Sequence, residues 1–194
     1  MDYNFYIFGP FVFKTKINKE DLKKIKNLCI KDDLKDARKS LAASIDNEYF
    51  IDHNKFADII QKYFKLYSEG HKKFYDEKII SFNCKTAWVN YMKNGDYNPV
   101  HVHSHCHLSS VLYLKVPEKL KEEHSKYLGT IKDSGPGCIS FIYGENRPFS
   151  ITNYNILPEE GDFFIFPYNL AHYVFPFKSK VERISVAANF NLEI

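Results

Sequence analysis

The chain has 194 residues, 44% of them hydrophobic and 16% aromatic, enough to bury a sizeable core and to exclude disorder as the default. The net charge of +3 comes largely from lysines that alternate with acidic residues, as in 14–26 and 115–126, the pattern of solvated helix faces and not of a nucleic-acid-binding stripe. No apolar run reaches the roughly 18 residues of a membrane span, and the N-terminus, with Asp2 and no basic stretch, does not read as a signal peptide.

In chain order, Phe5–Phe8 and Phe11–Ile17 read as short strands around a Gly9-Pro10 turn. Asn18 is placed to cap a helix over Lys19–Ile30. Ile59, Tyr63 and Tyr67 recur every four residues with Phe56, Ile60 and Phe64 beside them, which predicts a second helix ending at Gly70 or just after it. From about residue 77 the pattern turns to strands: Lys78–Phe82, Lys85–Met92, Pro99–His103, Ser109–Val116, Cys138–Tyr143, Asp162–Phe166, His172–Phe175 and Glu182–Asn191. Turn signals such as Asn94-Gly95, Pro117 and Ser134-Gly135-Pro136-Gly137 punctuate them. Helices first and strands afterwards predict an α+β fold with a β-sandwich or barrel. We expect one domain, with 1–76 as a supporting region and 77–194 as the β core. The helices either buttress the sheet or form a dimer contact, and the oligomeric state stays open.

Cys29, Cys84, Cys106 and Cys138 are widely spaced, with no CxxC pair. They read as free thiols of a reducing, cytoplasmic compartment. Cys106 lies among histidines, but no oxyanion-hole motif accompanies it, so nucleophilic cysteine chemistry is a weak reading.

Four of the eight histidines, His101, His103, His105 and His107, fall within seven residues. Residues two apart on a strand share a face, so His101 and His103 can present their imidazoles to one cavity. Neutral imidazole is a common ligand of borderline divalent metals. A third ligand must come from a distant strand, and His172, on the strand after Phe166-Pro167-Tyr168-Asn169-Leu170-Ala171, is the candidate. His107 is open between a fourth ligand, a donor behind the ligands and a plain loop residue. His53, His71 and His124 read as surface residues. Arg183 follows His172 with ten residues between them, and Ser185 lies two further along the same face. A guanidinium pairs bidentately with a carboxylate and a nearby hydroxyl adds a bond. This is a clamp for a short dicarboxylic acid whose other end chelates the metal. Trp88, Tyr113 and Phe175 are candidate aromatic shields at the mouth.

These motifs resemble the 2-oxoglutarate and Fe(II)-dependent oxygenase family of the prolyl-hydroxylase-like superfamily, in particular members from marine bacteria and their phages. The resemblance rests on Trp88 through His103, Leu108 through Pro117, Pro158 through Pro167 and His172 through Phe190, and covers roughly residues 80–191. It implies a double-stranded β-helix (jelly-roll, cupin-like) with the N-terminal helices packed on the sheet. It implies Fe(II) as cofactor, 2-oxoglutarate as co-substrate, O2 as oxidant, and a hydroxylase acting on a primary substrate that is peptidyl or a small molecule. His101 and His172 match the histidine ligands, Arg183 with Ser185 the grip on the far carboxylate, and Tyr91 a position lining the co-substrate pocket. The superfamily's first pair is His-x-Asp, whereas His103 stands at the Asp position here. An all-histidine site carries one more positive charge, binds Fe(II) less tightly and favours its oxidation less. Two alternatives remain. Gly95 through His103 also fits the Gly-x5-His-x-His of cupins, a dioxygenase type with an all-histidine site and no 2-oxoglutarate. A non-catalytic β-sandwich acting as a structural or interaction module is the other.

Overall fold

In the computed structural model, residues 9–30, 34–127, 129, 133–148 and 150–194 are described; the strand expected at Phe5–Phe8 lies outside them. The elements are β1 (Phe13–Lys16), α1 (Lys19–Leu28), β2 (Lys35–Asp36), β3 (Glu48–Phe50), α2 (His53–Tyr75), β4 (Ser81–Met92), β5 (Asn98–His101), β6 (Leu108–Lys115), α3 (Glu118–Ser125), β7 (Ile139–Ile142), β8 (Asn153–Ile156), β9 (Asp162–Pro167), β10 (Ala171–Val174) and β11 (Arg183–Glu193). A seven-stranded sheet has the order β1-β9-β6-β11-β4-β3-β2, and a four-stranded sheet the order β5-β10-β7-β8. Every pairing between these strands is antiparallel. Among the described residues, no helix is long and apolar enough to cross a membrane.

The helices follow their local signals. The Asn18 side chain accepts from the Asp21 backbone N–H at 2.9 Å and starts α1. Asp52 does the same for α2 through Asn54 and Lys55. The end expected at Gly70 or just after it falls later: α2 runs on to Tyr75 and is capped by Asp76 in the left-handed conformation. Gly70 is a packing site instead, because a Cβ there would lie 3.0 Å from the ring of Phe11. Lys78–Phe82 and Lys85–Met92 merge into the single strand β4.

Strand alternation divides the interior in two. Along β11, Ile184, Val186, Ala188 and Phe190 face α1 and α2, where they join Val89, Tyr91, Leu112, Leu114, Phe163 and Ile165 with Phe56, Ile60, Phe64 and Tyr67 of α2. The other face meets the small sheet, where Met92, Val111, Tyr113, Phe164 and Phe166 pack on Ile139, Phe141 and Val174. The helices thus support the large sheet from behind and leave its inner face to the cavity between the sheets. This is the double-stranded β-helix.

Candidate metal and co-substrate site

β5 and β10 are antiparallel partners, and their register sets His101 directly opposite His172. Their ring centroids lie 4.2 Å apart. His103 follows the end of β5, fixed by its backbone N–H donating to Tyr168 O at 2.9 Å. Its Nε2 is 3.3 Å from His172 Nε2. One ring nitrogen from each of the three histidines falls within 4.8 Å of the others, a group able to hold a metal ion. The ring orientations are set from behind: Nδ1–H of His101 donates to Pro99 O at 2.8 Å and Nδ1–H of His172 to Leu170 O at 2.9 Å. That fixes the tautomer and leaves both Nε2 lone pairs for a ligand role. Two nitrogens about 2.1 Å from one cation and roughly 100° apart stand about 3.2 Å from each other, close to the His103–His172 spacing. Burial, then repulsion from the neighbouring imidazoles, lowers the pKa of His103 to about 3 and of His172 to about 4. Burial also lowers that of His101. All three are therefore neutral at pH 7, the form a metal binds.

Arg183 lies in the same cavity, 2% exposed. One Nη donates to Gly137 O at 3.0 Å and the guanidinium sits 5.2 Å from the ring centre of Tyr113. Nε has no partner, and among the described residues no carboxylate lies within 4.0 Å of it. Burial pushes its pKa down, yet guanidinium stays charged. A buried, unneutralised cation is costly unless an anion joins it. Ser185 is buried beside it, and the Tyr113 hydroxyl, also without a hydrogen-bond partner, faces the same cavity. The donor set fits a carboxylate.

The cavity that holds these groups is narrow, about 40 Å³. A wider cleft of about 350 Å³ shares Trp88, Asn98, His101 and His103 with it. Trp88 and Tyr113 of the aromatic candidates therefore line the site, whereas Phe175 lines a separate groove with Tyr127 and Phe177.

Two expected site residues are corrected. Tyr91 pairs with Ile184, not with Ser185, so strand parity turns it to the helical face, where its hydroxyl donates to Cys29 O. Asn90 stands opposite Ser185 and lines the cavity in its place. His107 is exposed and outside the imidazole group. β5 ends at His101 and His105 turns the chain with φ +58°, so alternation does not extend to His107. Its Nδ1 accepts from the Leu192 backbone at 2.8 Å. His53, His71 and His124 are half-buried residues of α2 and α3. All four cysteines are buried, free thiols, and burial raises their pKa values, which disfavours a thiolate at Cys106.

Sequence reasoning did not find Glu48. It is 1% exposed and lines the wider cleft with neither carboxylate oxygen bonded. Glu48, Asn90, Ser185 and Tyr113 are successive partners across β3, β4, β11 and β6. They make one polar row over the inner face of the large sheet. The available signal was the alternation of Glu48 and Phe50 against Tyr49 and Ile51, which puts an acid on the inward face of a short strand.

The chain matches the protein-family model described as "Putative 2OG-Fe(II) oxygenase" over residues 86–189, more than half its length. Among solved structures it is similar to the viral collagen prolyl hydroxylase of Paramecium Bursaria Chlorella virus-1 in its 2-oxoglutarate complex. That pair has 18% identity and TM-score 0.59, covering 94% of this chain and 96% of that one. It is also similar to a Pseudomonas putida prolyl-4-hydroxylase (15%, TM-score 0.60, 94% and 93%). A third is a Trichoplax adhaerens prolyl hydroxylase bound to a hypoxia inducible factor peptide fragment (11%, TM-score 0.58, 94% and 83%). At these identities the structural likeness establishes the fold. No curated protein sequence matches the chain. The protein belongs to the 2-oxoglutarate and Fe(II)-dependent oxygenase family. It is a non-haem oxygenase whose cofactor is Fe(II) and whose co-substrate is 2-oxoglutarate, and the cupin-like and non-catalytic alternatives are not favoured.

Proposed function

We propose that His101, His103 and His172 hold Fe(II), that Arg183 grips the far carboxylate of 2-oxoglutarate with Ser185 and Tyr113, and that the outer cleft takes the substrate to be hydroxylated. One observation carries this reading: a buried guanidinium with no carboxylate partner opens into the same cavity as three converged neutral imidazoles. Bound Fe(II) supplies the redox chemistry by which O2 and 2-oxoglutarate yield succinate, carbon dioxide and an oxygenated product.

The protein's part is positioning. The carbonyls of Pro99 and Leu170 hold the His101 and His172 rings with Nε2 toward the ion. The fork of Arg183 would fix one end of the dicarboxylate and leave its 2-oxo acid end toward the three imidazoles that line the same cavity. Phe141 and Phe166, with ring centres 6.1 and 4.8 Å from His172, exclude water from behind the ligands. Trp88, 6.0 Å from His103, walls the substrate side. The substrate reads as a peptidyl or small-molecule aliphatic group presented through the outer cleft. The test is succinate formation from 2-oxoglutarate with added Fe(II). Turnover, coupled or uncoupled, supports the assignment. No turnover, with no change in Tm on adding metal and 2-oxoglutarate, would overturn it.

A further inference from the structure

The outer cleft has a chemical character of its own. Among the described residues, both oxygens of Glu48 are buried there without a hydrogen-bond partner, and Asn98 Oδ1 is a further unpartnered acceptor in the same cleft. Among the described residues, no lysine or arginine lines the cleft, and Glu48 is its one carboxylate. Glu48 also stands apart from the group of converged imidazoles, so it is not placed as a fourth ligand. Buried acceptors left open by the protein call for donors brought by something else. A neutral ligand with one N–H would satisfy one acceptor atom; a primary ammonium brings three donors and the charge that a buried carboxylate lacks. Part of the wall suits the stem of such a ligand: Leu41, Ala42, Ala43 and Phe50 are apolar, and the Trp88 indole offers a π face to a cation, while Ser40, Thr86, Ser104 and Asn189 make the remainder neutral and polar.

We infer that Glu48 is the specificity-determining residue of the outer cleft, where it pairs with a primary ammonium group borne on an aliphatic stem of the substrate. That this ligand is the substrate rests on the oxygenase reading; its binding is measured without turnover. Glu48 lines the cleft together with His101 and His103, so an ammonium held there leaves its stem facing the proposed metal centre.

Trp88 is the one tryptophan of the chain, and its fluorescence reports on this cleft directly. The protein is loaded anaerobically with Fe(II) and 2-oxoglutarate, then titrated with Nα-acetyl-lysine amide and with Nα-acetyl-norleucine amide, which shares the stem but lacks the ammonium. Wild type should bind the amine about tenfold or more tightly than the neutral probe, as expected for a charged hydrogen bond. Glu48→Gln should erase that preference. Equal affinity of wild type for the two probes, within about threefold, overturns the inference with no need of the variant. So does a preference that survives in Glu48→Gln. A rise in Tm with 2-oxoglutarate but no amine preference overturns this inference alone. An amine preference with no response to 2-oxoglutarate supports the cation site and counts against the oxygenase reading.

Discussion

Replacing Glu48 by glutamine should stabilise the free protein at about pH 8 and leave it unchanged near pH 4.5. Burial, with smaller pushes from Asp96 and Asp36 and an opposing pull from Arg38, raises the Glu48 carboxyl from 4.5 to about 7. Between those values the folded chain keeps a proton that the unfolded chain has released. Folding then takes up a proton, and stability falls as pH rises. The favourable contribution is complete below 4.5 and gone above about 7. Each pKa unit is worth about 1.36 kcal/mol, so the window spans up to about 3 kcal/mol. Glutamine has nearly the same shape as the protonated acid and does not ionise. Its advantage over wild type should therefore grow from near zero to about 3 kcal/mol across the window, or roughly 2–4 °C in Tm per kcal/mol for a chain of this size. Urea unfolding of both proteins at several pH values between about 4.5 and 8, without metal or co-substrate, measures the difference, and other titrating groups cancel in it. A difference that is flat with pH, or a variant less stable than wild type at pH 8, would refute the claim that this carboxyl is buried and unpaired.

Four further outcomes are expected. Arg183→Met should weaken 2-oxoglutarate binding by about 100-fold or more in calorimetry, yet raise the stability of the empty protein by about 1–4 kcal/mol, because an unpaired buried charge is replaced by a side chain of similar volume. His172→Ala should lower Fe(II) affinity by at least about 100-fold in chelator competition. His103→Asp should raise that affinity, since a carboxylate neutralises part of the metal charge. Tyr91→Phe should lower unfolding free energy by about 1 kcal/mol through loss of its bond to Cys29 O, with 2-oxoglutarate affinity unchanged.

What could be read in the sequence was whatever strand parity decides within one short segment. Arg183 and Ser185 stand two apart on β11 and face the same cavity; His101 and His103 share it too, although β5 ends at His101 and it is the bond to Tyr168 O that carries the alternation on to His103. The third imidazole of the cluster was identifiable because His172 sits near the start of a clear strand. Tyr91 failed because it was taken from the resemblance and not from parity: it lies three residues from Trp88 on β4, so the two face opposite sides of the sheet, Trp88 the cavity and Tyr91 the helices. His107 failed because the chain reverses at His105, a non-glycine residue at positive φ. β2 and β3 are two and three residues long, so the alternation of Glu48 and Phe50 against Tyr49 and Ile51 was too brief to stand out from a loop, and Glu48 was lost with it. The imprecise end of α2 came from treating Gly70 as a stop, when its smallness serves the close approach of Phe11.

The row from Glu48 to Tyr113 explains how one sheet can serve two ligands of opposite charge. Its members come from four strands, and antiparallel pairing alone aligns them. Tyr113 and Ser185 sit with Arg183 in the inner cavity, whereas Glu48 sits in the outer cleft with Trp88. The row therefore runs from the positive end, where an anionic co-substrate is proposed, to the negative end, where a cation is inferred. With Fe(II) held by three neutral histidines as proposed, the site would keep the full charge of the ion. With the guanidinium that would make three positive charges against two on 2-oxoglutarate, so the loaded inner cavity would stay net positive. A cationic substrate group would be repelled there. The carboxylate absent from position 103 thus has a counterpart in Glu48: the site lacks an acid where the metal is proposed to bind and has one where an ammonium would have to be held away from it.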